Sequence, residues 1–326
     1  MPEPKSPFKR VRRAFDQSDL KRVCEMHETD FPDAYNLAVT NIPRRFGGDD
    51  FYAYRDNGSS ILAVAHLDTV VDHKQRSCNF LNTNGGLVVH SGALDDRLGA
   101  YTITELLPAL GIQFDILLTT GEESGMSTAE DFKPPSDKEY DWIIEFDRGG
   151  TDVVMYQYED TFSVDLVEEV KARVGDGSFS DISYLEHLGA KAFNWGVGYR
   201  DYHSVRGYAW LEDYWMMIGK FLDFHEIADG LHMPHTPKPK HVSKYANWWY
   251  DSIDDDLGAT SAHGPDGQDD SIFDDEDDAA EDLARSIEAA AGLEGIDPEL
   301  AKGLFSHDGT FIGDDPVRND EGVIAL

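Results

Sequence analysis

Apolar runs of strand length alternate with helix-spaced stretches along the first two thirds of the chain. Residues 18–27 (SDLKRVCEMH) begin at a capping serine and set Leu20, Val23 and Cys24 at helical spacing. Residues 51–54 and 61–65 (ILAVA) flank Asn57-Gly58, the pattern of a hairpin. The run 61–65 is apolar at every position, so it belongs in a strand covered on both faces. Residues 98–107 have helical spacing, with Pro108 marking the end, and 114–119 (FDILLT) and 141–146 (DWIIEF) repeat the buried-strand pattern. Further along, 152–158 reads as a strand and 181–188 as a helix. Residues 190–197 lead into a loop at 198–203, and 211–224 form a long closing helix. Strands alternating with helices predict the α/β class, with a mostly parallel mixed sheet and helices on both faces in three layers. Functional side chains in such sheets gather beyond the carboxyl ends of the strands.

The pattern fades between residues 224 and 228, after which come Pro234, Pro237 and Pro239 and then an Asp-dense run with Gly and Ser. The expected organisation is an N-terminal extension over 1–15, a catalytic domain over 16–228, and an acidic, largely disordered tail over 229–326. A short helix over 278–291 is expected within that tail. Charge sharpens this division. The chain carries a formal net charge of -35, and 23 of its 63 acidic residues but only 3 of its 28 basic ones lie from Asp251 onward. Such a surface repels nucleic acid and anionic membranes, and the short basic run Lys9, Arg10, Arg12, Arg13 does not reverse it. The preferred reading of the tail is a solubilising extension; the other is recruitment of a basic partner or loose gathering of divalent cations. No run approaches the ~18 apolar residues needed to span a bilayer. No apolar run follows the basic N-terminus, so a cytoplasmic protein is expected. Two cysteines, Cys24 and Cys78, are too few for a disulfide scaffold and read as buried thiols.

Polar residues follow nearly every buried strand. His66-Leu67-Asp68 follows ILAVA, Gly121-Glu122-Glu123 follows FDILLTT, and Asp147-Arg148 follows WIIEF. Tyr199-Arg200-Asp201-Tyr202-His203 lies near the last strand, and Gly92-Ala93-Leu94-Asp95-Asp96-Arg97 opens a helix. Each piece alone has a plain reading: a surface His–Asp pair, a solvated Glu-Glu, a helix cap. Together at one sheet edge they form a mixed nitrogen and oxygen donor set that suits zinc, since buried charges are costly unless paired or metal-bound.

In this order the motifs AHLDTV, GALDDRLG, TTGEESG, EFDRGG and GYRDYHS resemble those of the co-catalytic dizinc exopeptidases, including bacterial leucyl aminopeptidases and peptidase T. The resemblance covers residues 51–224. It implies a single-domain, phosphorylase/hydrolase-like fold, two Zn2+ ions (with Co2+ or Mn2+ as alternatives), and a metal-dependent aminopeptidase or exopeptidase activity. It implies that Asp95 bridges the metals, that His66 and Asp147 complete one, and that Glu123 and His203 complete the other. Glu122 would be the general base, and Asp68 would orient His66 through its ring N–H. A non-proline cis peptide between Asp95 and Asp96 is also implied. Asp68 to Asp95 spans 27 positions and Asp147 to His203 spans 56, which leaves no room for a lid domain at either point. Tyr199 and Arg200 are candidate substrate contacts. Asp181 has two readings, a helix cap, which is preferred, and contact with a substrate amine. The expected substrate is a peptide; an N-acyl amino acid, as for a deacylase, and a non-catalytic binding role are the alternatives.

Overall fold

A computed structural model describes residues 6–43, 49–135 and 138–237. The expected tail helix over 278–291 and most of the acidic tail lie outside the described residues. The strands are β1 (Ala38–Pro43), β2 (Asp49–Arg55), β3 (Ile61–His66), β4 (Asn79–Thr83), β5 (Gly86–His90), β6 (Asp115–Thr119), β7 (Trp142–Arg148), β8 (Asp152–Val154), β9 (Arg173–Val174), β10 (Lys191–Gly196), β11 (Tyr199–Arg200) and β12 (Tyr208–Trp210). The helices are α1 (Pro7–Ala14), α2 (Gln17–Glu25), α3 (Phe31–Tyr35), α4 (Leu94–Tyr101), α5 (Leu107–Ala109), α6 (Thr161–Glu169) and α7 (Leu211–Ala228).

The strands with the most continuous apolar character take the middle of the main sheet, whose order is β1-β2-β6-β3-β7-β10-β8-β9. Strands β6, β3, β7 and β10 run parallel, and β3 is buried at all six positions. The expected hairpin of 51–54 with 61–65 does not form. β6 lies between those strands, antiparallel to β2 and parallel to β3. The physical reason is Asp115 at the start of β6. Its buried carboxylate accepts from the amides of Asn57 (2.9 Å) and Ser59 (3.0 Å), from Tyr54 Oη (2.8 Å) and from Lys138 Nζ (2.6 Å). That knot carries the chain across the end of β6 instead of folding it back in a two-residue turn.

Alternation along β7 and β10 separates two faces. Trp142, Phe146, Phe193 and Trp195 pack edge-to-face on Phe221 and Phe224 of α7. Glu145 and Asn194 point the other way, toward Ser180, where helical turns at Thr128–Asp131, Asp181–Tyr184 and Glu186–Leu188 form the third layer. Residues 181–188 are thus two short 3-10 turns rather than one helix. Pro108 lies one residue from the helix end at Ala109, close to the expected stop. A π-helical turn over Thr102–Leu106 precedes it and runs into α5, a widening that accommodates the missing amide. Residues 7–14 form α1, which lies on α7 where Gly219 admits Phe8; a Cβ there would sit 3.1 Å from the Phe8 amide nitrogen. The cap of α2 is Asp16, two residues before the expected serine.

Helices α1, α3 and α6, the strands β1 and β9, and a second sheet, β11-β12-β5-β4, were not foreseen; the 79–90 hairpin of that sheet braces the loop between β11 and β12. After α7 the chain turns back. Met233 donates its amide to Asp141 O (2.9 Å), and His235 Nε2 lies 2.9 Å from Glu186 Oε1. No described helix is long and apolar enough to cross a membrane.

Candidate metal centre

The carboxyl ends of β3, β6 and β7, the opening turn of α4 and the β11–β12 loop meet at one edge of the main sheet. His66 ends β3 and is fully buried. Its Nδ1 lies 3.0 Å from the main-chain oxygen of Asp68, an acceptor only, so Nδ1 carries the proton and Nε2 faces the site. The Asp68 carboxylate is farther, at 3.6 Å, and its other oxygen accepts the Glu123 amide at 3.2 Å. The imidazole is therefore oriented first by the main chain of Asp68. The side chain of Asp68 ties that segment to Glu123.

Asp95 lies between two imidazoles and gives one oxygen to each. His66 Nε2 is 3.1 Å from Asp95 Oδ1, and His203 Nε2 is 3.2 Å from Asp95 Oδ2. On the first side, Asp147 Oδ1 lies 3.7 Å from His66 Nε2. On the second, Glu123 Oε2 lies 3.2 Å from His203 Nε2. Glu122 stands beside them, 4.0 Å from His66 Nε2. Ligand atoms of His66, Asp95 and Glu123 also fall within 4.8 Å of one another. The peptide between Asp95 and Asp96 is cis, as the resemblance implied. Asp201 and His203 both have positive φ, 49° and 59°, a region that non-glycine residues enter only when the surroundings hold them there. The second sheet closes the loop at both ends, pairing Tyr199 with Ala209 and Arg200 with Tyr208, and within it Ser204 Oγ donates to Asp201 O at 2.7 Å.

The electrostatics of this cluster are lopsided. Burial pushes Glu122 up to about 8 against the attraction of His66, with repulsion from Asp147, Asp181 and Asp95 adding to it. Burial, and then Asp95, raises Glu123 to about 7 and Asp147 to about 7. The hydrogen bond to Asp95 lifts His203 to about 9. Against the cost of burial, His203 and His66 hold Asp95 below the usual carboxylate range. Against a similar cost, Asp147 raises His66 well above its ordinary value. Two imidazoles do not neutralise five neighbouring carboxylates. Glu123 Oε1 and Asp68 Oδ1 are buried without a hydrogen-bond partner. Surplus negative charge, orphaned oxygens and correctly spaced imidazole nitrogens fit divalent cations.

The cleft above the cluster has a volume of about 180 Å³. Asp95, Glu122, Glu123, Asp147 and His203 form its floor, and Tyr156, Phe179, Tyr199 and Tyr202 supply an aromatic wall beside Arg148. Tyr199 also donates its hydroxyl to Asp147 Oδ1 at 2.5 Å. Two residues singled out in the sequence are not brought to the cleft. Asp181 is fully buried and takes the hydroxyls of Thr119 and Ser127 on its two oxygens, and Arg200 is exposed and 3.4 Å from Asp213. Sequence reasoning missed Asn194. Its side chain accepts the Asp147 amide (2.9 Å) and donates to the Asp147 carbonyl (3.0 Å). The signal was available, since Asn194 is a polar residue inside the buried strand AFNWG, as Glu145 is inside WIIEF.

No family model matches the chain, and no curated protein matches it. Among solved structures the chain is similar to a tripeptidase from Staphylococcus aureus, at 12% identity over 68% of this chain and 98% of the other, with a TM-score of 0.49. It is similar to aminopeptidase PepT from Bacillus cereus at 11% identity over 67% and 97%, with a TM-score of 0.47. A Zn-dependent exopeptidase from Parabacteroides distasonis shares 13% identity over 69% and 97%, with a TM-score of 0.41.

Proposed function

We propose that the chain is a metal-dependent hydrolase of the exopeptidase type that works with two zinc ions. The observation that carries this reading is the single carboxylate of Asp95 shared between His66 and His203, one oxygen to each. His66 and Asp147 would hold one ion, Glu123 and His203 the other, with Asp95 common to both. Bound there, the ions supply Lewis-acid polarisation of a scissile carbonyl and of the attacking water.

The chain's own groups supply the rest. Glu122 lines the cleft without a short contact to either imidazole, so its carboxylate is free to take a proton from water and return it to the leaving nitrogen. Asp68 and its main-chain carbonyl fix the ring of His66. Tyr199 steadies Asp147 by hydrogen bonding. The aromatic wall sheds water from the substrate face and suits a peptide with an apolar or aromatic side chain.

A second reading, hydrolysis of an N-acyl amino acid, is favoured by one observation. Every acidic residue lining the cleft among the described residues already has a role at the metals or in proton transfer. No spare carboxylate is left there for a free amino terminus. Zinc- or cobalt-loaded protein assayed against aminoacyl anilides and N-acetyl amino acids separates the two readings. Glu122→Gln should lower turnover by about 10²–10⁴-fold, the usual worth of a general base, with both metals retained. Normal turnover in that variant, or loss of its metals, would remove Glu122 from the proposed role.

A further inference from the structure

Arg97 follows the Asp95-Asp96 pair on α4 and is fully buried, an unusual place for a guanidinium. It does not reach the cleft. Its Nη2 donates to the main-chain oxygen of Leu67 at 2.7 Å, and its Nη1 points at Val23 O on α2 at 3.5 Å. The guanidinium stacks over the Phe31 ring at 4.6 Å, and Glu28 Oε2 approaches Nη2 at 3.8 Å. Glu28 is itself anchored by Arg76 Nη1 at 2.9 Å.

Leu67 is the residue between His66 and Asp68. Its amide donates to Thr119 O on β6 at 2.9 Å, so Arg97 holds the carbonyl of a residue whose amide is already fixed by the sheet. One side chain thus joins the α4 turn that carries Asp95 to the strand end that carries His66 and Asp68. We propose that Arg97, with Glu28 as its countercharge, is a positioning residue that sets the spacing of His66 and Asp95 for metal binding. On this account the N-terminal segment from α2 through Phe31 is part of the metal site's support. The proposal rests on the metal-centre reading above. It goes beyond it in assigning work to groups that touch neither metal nor substrate.

A purely structural Arg97 would lower the melting temperature of the metal-free protein and leave zinc affinity alone. A positioning Arg97 changes the affinity itself. The test is zinc binding to the full chain, by competition with a chromophoric chelator, well below the melting temperature of each metal-free variant. Arg97→Met, which keeps the apolar stem and the stacking on Phe31, should weaken zinc by about 10–100-fold, the usual worth of a supporting contact. Arg97→Lys, which restores a donor toward Leu67 O, should recover part of that loss. Glu28→Gln should shift affinity in the same direction by a smaller factor, and serves where Arg97→Met does not fold. Unchanged zinc affinity in folded Arg97→Met, or in Glu28→Gln where the first does not fold, overturns the proposal and leaves the metal centre standing. A wild-type chain that binds no zinc overturns the metal-centre reading instead.

Discussion

Asp95 and Tyr199 show how the site is built residue by residue. Asp95 divides its oxygens between two imidazoles, and Tyr199 donates a 2.5 Å hydrogen bond to Asp147, which faces the first of them. Tyr199→Phe removes only that donor, so zinc affinity should fall by about tenfold or more while the fold is kept. Chelator competition alongside a thermal melt checks this, and unchanged affinity would show that Asp147 is held well enough by Asn194. At this scale the sequence was most informative where a charged residue directly followed an apolar strand, as at His66, Glu122 and Asp147. It was least informative at Asp181. Whether a Ser-Asp pair faces a cleft or the interior depends on Thr119 and Ser127, more than fifty positions away in the chain.

At the scale of elements, Asp115 governs the path from β2 to β3. Its carboxylate is fully buried and serves Lys138, Tyr54 and two amides. Asp115→Ala leaves the Asn57 and Ser59 amides unpaired, Lys138 with Asp56 alone and Tyr54 with Tyr140 alone, and should cost about 3–5 kcal/mol, the range for breaking a buried charged network from one side. Urea unfolding measures it, and a loss under about 1 kcal/mol would mean that water or neighbours replace the carboxylate. The hairpin expected at Asn57-Gly58 fails for this same reason: the dipeptide specifies a turn but not which strand pairs next. Strand β3 was legible because five consecutive apolar positions, 61–65, fit a strand covered on both faces. Strands β4, β11 and β12 were not: β4 and β11 mix polar with apolar positions, and β12 has only three residues. A valine at Gly219 should separate α1 from α7, because the Phe8 backbone occupies that space. Limited proteolysis within residues 6–16 reports it, and a Gly219→Val chain as resistant there as the wild type would contradict the packing.

Across the whole molecule, the α/β class and the meeting of motifs at one sheet edge followed from the alternation of strands and helices. The second sheet and the support from the N-terminal helices did not follow, because they depend on contacts between segments with weak local patterns. The acidic stretch from Asp251 onward takes no part in the proposed chemistry, so a chain ending at residue 250 should keep its turnover. A collapse of activity would bring that stretch into the site or the fold. Metal and fold are coupled at this scale as well. Each zinc ion at about one hundred times its dissociation constant should add about 2.7 kcal/mol of stability, lost again on chelation.

The most direct measurement is zinc stoichiometry by equilibrium dialysis of the reloaded chain, with Asp95→Asn in parallel. Two ions per chain are expected in the wild type, and both should weaken together in Asp95→Asn because that carboxylate is shared. A wild-type chain that holds no zinc, or an Asp95→Asn chain that keeps two ions at unchanged affinity, would contradict the shared-carboxylate centre.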